Sequence, residues 1–320
     1  MESEARWTRV RATCQAFTVF AYHPDVQPLL ASSSLRVDVG GTSAVDGLSL
    51  SSTGERVLVL GGARALFEAA AGLRGIARGE LRVADQDPLE AIRAGALAGA
   101  PLDPPLPASW TVRQYVTWSG RLAGHPRRTA TAMADDAIER MKLGSLSNGK
   151  LGAVALAARR GVVIAAALAT GAGVLLLEDP IAALPAESAR SFARIVARAL
   201  ADRRMVVFAP RVALDSPLAL AAEEAIVIDG SRVAAQGAPA EIAAGESAFV
   251  LRIGGDARAF VSAVQARGAR LLAAGDGARD PRCDSITIDL GELRTLDLLR
   301  IAASSNAVVL ELRPLAWAFA

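Results

Sequence analysis

Short apolar segments alternate with helix-forming segments over most of this chain, and this alternation restricts the possible fold more than any other feature. The four most apolar of them are RVLVLGG (56–62), GVLLLEDP (173–180), RMVVFAP (204–210) and AEEAIVIDG (222–230). Helix-forming stretches follow two of these segments, at 63–73 and 185–203. Apolar core strands that alternate with helices are typical of a layered α/β domain. We therefore expect an α/β fold around a buried sheet.

Further patterns divide the chain into regions. A proline-rich loop at 100–109 leads into a block of helices, which predicts a helical subdomain at about 105–170 inserted between sheet strands. From 248 onward the order of segments is β-α-β-β-α-β, the outline of a ferredoxin-like α+β domain. The serine run at 32–34 is interpreted as a linker. The predicted domains are an N-terminal extension (1–34), an α/β domain (35–247) and a C-terminal α+β domain (248–320).

Composition excludes several classes of protein. Hydrophobic residues make up 52% and charged residues 21% of the 320, which is enough apolar material for a packed core. A net charge of +2 gives no reason to expect a nucleic-acid partner. The most apolar stretch, 161–177, is interrupted by glycines and is interpreted as a buried helix and strand, because a membrane span needs about twenty unbroken apolar residues. Two cysteines and a charged start without a signal-peptide pattern favour the cytoplasm.

The N-terminal extension carries an apolar stripe. Trp7, Val10, Cys14, Phe17 and Ala21 recur at the spacing of one helix face. Such a helix could bind a membrane surface or a partner, or it could pack on its own domain. The sequence leaves these alternatives open.

The segment GSLSNGKLG (144–152) comes close to a phosphate-binding loop, GxxxxGK[ST]. However, Leu151 stands where a hydroxyl should bind Mg²⁺, and a predicted helix precedes the segment where that loop requires a strand. The same letters contain LSNGK, which is close to the LSGGQ signature of ABC-transporter ATPases. Counting back from VLLLEDP without gaps places the signature slot at 154–158, so we interpret 144–152 as neither motif.

Along most of 35–320 the chain resembles the ATPase subunit of an ABC transporter, of the exporter type that carries a small C-terminal domain. The matching segments are GGTSAVDGLSLSSTGERVLVLGG, LPASWTVRQYVTWSGRLAG, VLLLEDPIAALPAESA, AEEAIVIDGSRVAAQGAPAEI and AVVLELRP, in the family's order. The resemblance implies the ABC-ATPase-like P-loop NTPase fold with a helical subdomain, followed by the small α+β domain.

The residues that perform the chemistry in that family are replaced here. The resemblance places only Gly61 and Gly62 in the phosphate loop, with Ala63 and Arg64 at positions of its lysine and hydroxyl residues. Leu102 falls at the Q-loop glutamine. Val39 falls at the aromatic side chain that stacks on adenine.

The other motif positions that the resemblance assigns also lack the family's usual residues. Ala155 occupies the signature serine, and Pro210 occupies the switch histidine. Glu178 and Asp179 stand in the Walker B motif in the reverse of its usual order. We therefore expect no catalytic residue, no metal ligand and no ATP hydrolysis, with ATP and Mg²⁺ not binding or binding weakly.

The resemblance suggests a catalytically inactive subunit with a structural or regulatory role in an exporter-type complex, peripheral to the inner membrane through its partners. Those partners would be an ABC membrane subunit, an intact ATPase subunit or both, in a homodimer or heterodimer. The family's docking surface for a membrane-subunit helix would include Trp110, Arg113, Tyr115 and Trp118, although core packing is the alternative for these aromatic residues. Two other functions stay open: an independent adaptor in a cell-envelope or motility machine, and an ATP-binding switch without hydrolysis.

Overall fold

The computed structural model describes residues 27–214, 216–244, 248–274, 283–291, 293 and 295–314. The apolar stripe predicted for the N-terminal extension lies outside these residues. The strands are, in chain order, β1 (Leu30–Val39), β2 (Thr42–Ser51), β3 (Arg56–Leu60), β4 (Arg78–Val83), β5 (Leu97–Ala100), β6 (Val174–Glu178), β7 (Arg204–Ala209), β8 (Glu224–Asp229), β9 (Arg232–Gly237), β10 (Ala248–Gly255), β11 (Arg270–Ala274), β12 (Cys283–Asp289) and β13 (Ala307–Pro314).

The helices of the described residues follow the same numbering. They are α1 (Ala63–Ala70), α2 (Pro88–Arg93), α3 (Val112–Leu122), α4 (Arg127–Arg140), α5 (Leu156–Leu168), α6 (Ala186–Ala199), α7 (Pro217–Leu220), α8 (Pro239–Ala244), α9 (Ala257–Gln265) and α10 (Thr295–Ser304). None of them is long and apolar enough to span a membrane.

The central sheet has six strands in the order β5-β6-β7-β3-β8-β9. The first five run parallel, and β9 pairs antiparallel with β8. The middle strands are apolar along most of their length because residues of both faces are buried, in two separate cores. The carboxyl ends of β3, β6 and β7 therefore open at one edge of the sheet, where an α/β fold usually binds its ligand.

A second, three-stranded antiparallel sheet has the order β2-β1-β4. Ser32–Ser34 lie within its middle strand, so their interpretation as a linker was wrong. Serine is tolerated there because its side chain forms hydrogen bonds across the sheet: the Ser32 hydroxyl donates to the Leu48 carbonyl at 3.0 Å. Ser34 adopts a φ of 46° at a register shift between β1 and β4.

The helices α3, α4 and α5 form the helical subdomain. They are inserted between β5 and β6, which are neighbours in the central sheet, as the sequence predicted. The helix α3 begins at a capping box, in which the Thr111 hydroxyl accepts from the Gln114 backbone N–H and the Gln114 side chain accepts from the Thr111 N–H. The core of the subdomain is continuous with one face of the central sheet.

The C-terminal region folds as the predicted β-α-β-β-α-β unit. Its antiparallel sheet has the order β11-β12-β10-β13, and a separate core forms around Leu251, Phe260 and Ile288. Arg232 of β9 reaches this sheet and donates to the Ser285 hydroxyl at 2.9 Å. The α/β fold with a small C-terminal α+β domain is therefore confirmed.

Candidate functional site

A cleft of about 500 Å³ lies at the carboxyl ends of β3, β6 and β7. Its lining consists of Val39, Ala44, Gly62, Ala63, Arg64, Ala65, Glu68, Leu102, Glu178, Asp179 and Pro210. Most of these residues come from separate segments that the sequence analysis had assigned to one site. The fold thus brings the assigned positions of β1, the β3–α1 junction, the segment after β5 and the ends of β6 and β7 into one cavity.

Two glycines form the whole connection between β3 and α1. Gly61 and Gly62 have φ angles of 83° and 55°, in the region that glycine adopts without strain. A Cβ on Gly61 would lie 2.0 Å from the carbonyl oxygen of Ile228 in β8. Gly61 is therefore required by the close approach of two sheet strands, and the turn has no room for a longer side chain at this position.

Arg64 forms two ion pairs in the cleft, one within α1 and one with the end of β6. The Arg64 guanidinium lies 2.9 Å from Glu68, one helical turn further along α1, and 4.0 Å from Oε1 of Glu178 at the end of β6. The other carboxylate oxygen of Glu178 accepts from the Leu102 N–H at 2.9 Å. Each oxygen of Glu178 thus faces a group of the protein itself, a guanidinium on one side and a backbone N–H on the other.

Arg64 nevertheless stays open to solvent. Its side chain is 81% exposed, whereas those of Glu68 and Glu178 are 15% and 12% exposed. Burial alone would raise the pKa of Glu68, but hydrogen bonds from Arg64 and Arg74 outweigh it and lower that pKa. Glu68 is therefore held ionised between two arginines, and Arg74 links it further to the Asp38 carbonyl at 3.1 Å.

Asp179 differs from its neighbour in both backbone and charge. Its φ is 34°, and its N–H donates to the Phe208 carbonyl of β7 at 2.7 Å. Burial raises the pKa of its carboxyl group to about 6, Glu178 adds to this increase, and Arg160 opposes it. This carboxyl group changes charge close to neutral pH.

Arg160 is a feature that the sequence analysis missed. Its residue surface is only 4% exposed, on the inner face of α5. Its guanidinium donates to the carbonyls of Pro180 and Ala182, and so holds the turn that follows Glu178 and Asp179. The signal was available in the sequence, because position 160 lies one helical turn before Ile164 on the apolar side of α5.

Part of the cleft lining is apolar and includes Val39 and Pro210. Pro210 follows β7 and offers no side-chain donor or acceptor. Val39 ends β1 with 40% of its surface exposed, at the mouth of the cleft. The described residues contain no group of three or more His, Cys, Asp or Glu side chains that could bind a metal ion.

Two predicted features lie away from the cleft. Ala155 is exposed at the N-terminus of α5, with no side-chain cap, and does not line the cavity. The segment 144–152 follows α4 and forms short 3₁₀ turns, and the Lys150 ammonium donates to the Ser109 carbonyl at 2.8 Å. It follows a helix rather than a strand, as the sequence analysis expected.

The aromatic residues of the helical subdomain form one cluster. The rings of Trp110 and Trp118 meet edge to face with centroids 5.6 Å apart, and Tyr115 lies 6.3 Å from Trp118. Trp118 is 44% exposed, and Arg113 beside the cluster pairs with Asp135 of α4 at 2.6 Å. The cluster packs internally and presents Trp118 to solvent, and docking of a partner on this surface stays a prediction.

An apolar groove of about 430 Å³ runs between the helical subdomain and the central sheet. Its walls include Tyr115 and Leu122 of α3 on one side, with Leu73, Ile92 and Leu97 on the other. We call this feature the subdomain groove.

Comparison with known proteins supports the fold. CbiO1 from Clostridium perfringens, described as part of the ABC transporter complex CbiONQ, matches with a TM-score of 0.59 and 20% identity over 68% of this chain and 91% of that one. MJ1267, an ATP-binding cassette of an ABC transporter, matches in its ADP conformation with a TM-score of 0.55 and 16% identity over 68% of this chain and 95% of that one. A putative metal-chelate type ABC transporter, in an inward-facing conformation, matches with a TM-score of 0.54 and 18% identity over 67% of this chain and 85% of that one. The sequence matches no protein-family model and no curated protein. The fold is that of ABC-transporter ATP-binding subunits.

Proposed function

We propose that this chain is a catalytically inactive ABC-ATPase-like subunit with a structural or regulatory role in an exporter-type ABC complex. The observation that carries the proposal is the β3–α1 junction. Two glycines stand there in place of a phosphate loop, and Arg64 faces Glu178 across the cleft.

The residues of the cleft do not fit ATP with Mg²⁺. A phosphate loop binds through a nest of backbone N–H groups, a lysine and a metal-binding hydroxyl, and the junction at 61–65 supplies no such side chain. The cationic group that is present, Arg64, already pairs with two carboxylates of its own chain. A nucleotide phosphate would have to displace these contacts and approach Glu178 and Asp179, which repel it.

The replaced residues of the cleft also support the proposed loss of catalysis. Phosphoryl transfer depends almost entirely on positioning and on electrostatic stabilisation by metal and donors. Removing a single preorganised donor typically lowers a rate by about 10²–10³-fold. By the resemblance, this chain lacks the lysine and the hydroxyl of the phosphate loop. Leu102, Ala155 and Pro210 also stand where the family has polar side chains.

The proposed partners are other subunits of an ABC transporter, because the structural neighbours are subunits or domains of such transporters. CbiO1 is part of a multi-subunit transporter complex, and a subunit of this fold would act at the cytoplasmic face of the membrane through a membrane subunit. The subdomain groove, with the aromatic cluster of Trp110, Tyr115 and Trp118 nearby, is the surface that we assign to a helix of that subunit. An intact ATPase subunit is the second partner that this proposal allows, and the C-terminal α+β domain supports the exporter type.

Calorimetric titration of the purified protein with ATP and Mg²⁺ tests the proposal, with an intact ABC ATPase as the positive control. We expect no binding heat and no increase in melting temperature up to millimolar ATP. Saturable binding that is lost in the variant Arg64→Ala would contradict this expectation. It would favour the second candidate, an ATP-binding switch without hydrolysis, for which the persistence of a 500 Å³ cleft speaks.

A further inference from the structure

The subdomain groove is bordered by exposed leucine side chains. Leu73 and Leu122 are 66% and 65% exposed on its two walls, and Leu89 of α2 is 44% exposed beside Ile92. Single exposed leucines are ordinary, but contiguous apolar surface around a groove marks an interaction site.

The chain itself contains a segment of matching character. Trp7, Val10, Cys14, Phe17 and Ala21 recur every three or four residues, which would place them on one face of a helix about 22 Å long. These residues precede the described part of the chain. They are a long apolar stripe without a surface assigned to it.

The described chain starts beside β4, which α2 contacts and follows in the chain. The carbonyl of Leu29 accepts from the Ala84 N–H at 2.8 Å, and Leu30 pairs with Val83 in β4. The short helix α2 comes next in the chain; it contacts both β4 and β5, and its Ile92 lines the groove. The N-terminal segment thus joins the fold beside the end of β4, and the helix that directly follows β4 contributes Ile92 to the groove.

The connection from residue 21 to the described chain is long enough to span the width of a helix such as α2. A helix with its side chains is about 10 Å wide. The seven residues from 22 to 28 span up to about 24 Å when extended. A tether of this length also holds the segment at an effective concentration of about millimolar, which favours it over an untethered occupant of equal contact area.

We propose that residues 7–21 bind in the subdomain groove of their own chain as a helix, with the apolar stripe against Leu73, Ile92 and Leu122. The docking itself depends only on the groove and the stripe. Its regulatory consequence rests on the proposed function: the segment occupies the site of the membrane-subunit helix, and binding of that subunit displaces it.

Cysteine cross-linking in the full-length chain tests the docking, because Cys14 lies in the middle of the stripe. In a Cys283→Ser background, Leu122→Cys and Leu73→Cys each place one thiol on a groove wall. Leu220→Cys on α7 is the matched control, since Leu220 is 62% exposed and does not line the groove. With a short bismaleimide we expect at least one groove thiol to cross-link to Cys14 within the chain about tenfold faster than the control thiol does. Phe17→Asp should abolish this difference.

Other outcomes would overturn the proposal. Equal rates at groove and control positions would show that the segment is not in the groove. Cross-links only between two chains would assign the groove to a second copy. Protection of Cys14 only on anionic vesicles would assign the stripe to the membrane.

The two proposals fail separately. If cross-linking occurs but a membrane subunit does not slow it, the docking stands and the assignment of the groove to that subunit fails. The cross-linking uses no nucleotide, so the result of the ATP titration does not affect its interpretation.

Discussion

Asp179 occupies a backbone position that accepts an amide and an environment that disfavours a carboxylate. Its positive φ of 34° suits asparagine as well as aspartate. Its carboxyl group has a pKa raised to about 6, mainly by burial, against an ordinary value of 3.8. Because the folded state binds the proton more tightly, the carboxyl group favours folding at low pH and loses this contribution as the pH rises through 6.

We therefore expect Asp179→Asn to stabilise the protein at pH 7.5 and to have little effect near pH 4. One pKa unit corresponds to about 1.4 kcal/mol, and partial solvent exposure reduces the full shift to a gain of about 1–2 kcal/mol in the free energy of unfolding. Urea unfolding of both proteins between pH 4 and pH 8 measures it. A stability difference that is independent of pH would assign the effect to something other than this proton.

At the residue scale, the sequence predicted which positions would meet but not what they would do there. The register of the resemblance placed Gly62, Leu102, Glu178 and Pro210 in one site, because the order of segments determines the ends of the strands. The contact between Arg64 and Glu178 could not be read in the same way. It joins side chains 114 positions apart across the cleft, and its geometry depends on how α1 leaves the sheet.

At the scale of elements, the junction of β3 and α1 determines the shape of the cleft. A Cβ at Gly61 would collide with the backbone of β8, whose carbonyl oxygen has no freedom to move within the sheet. Gly230 at the β8–β9 turn has a similar φ of 63° but open space around it, so it provides a matched control. Both substitutions introduce strain in the left-handed region, and only one adds a clash.

We expect Gly61→Ala to lower the free energy of unfolding by more than about 3 kcal/mol, and Gly230→Ala by about 1 kcal/mol. Chemical denaturation of the two variants beside the parent protein measures the difference. Equal losses would mean that β3 and β8 separate easily at this point, which would contradict the tight junction described above.

The elements themselves were predictable where their pattern was strong. The apolar strands and the insertion of α3, α4 and α5 follow from periodicity and order. The helix predicted at 63–73 ends earlier, at Ala70, because Gly72 takes a φ of 63° and the chain turns there. The serines at 32–34 were misinterpreted because their composition is typical of a linker, while their cross-strand hydrogen bonds become visible only in the folded sheet.

For the whole molecule, the α/β domain and the C-terminal domain meet through apolar packing of Ala248 and Val250 and through polar contacts around Arg232. Its guanidinium lies 3.7 Å from Asp229 and 2.9 Å from the Ser285 hydroxyl of β12, and Ser285 donates to Asp229 at 3.1 Å. Burial lowers the pKa of Arg232, and Asp229 partly restores it. We expect a partly buried cation that bridges two domains in this way to couple their unfolding.

Removal of this bridge should therefore uncouple the unfolding of the two domains more than it lowers the stability of either domain. In Arg232→Ala, Asp229 and Ser285 lose a partly buried charged partner, a change of about 1–3 kcal/mol. We expect scanning calorimetry to show the C-terminal domain unfolding at a lower temperature than the α/β domain. Arg252→Ala is the control, because Arg252 faces Glu311 within the C-terminal sheet and is 46% exposed. If both variants keep a single transition at the parent temperature, the domains are coupled by their apolar contacts, and Arg232 contributes only locally.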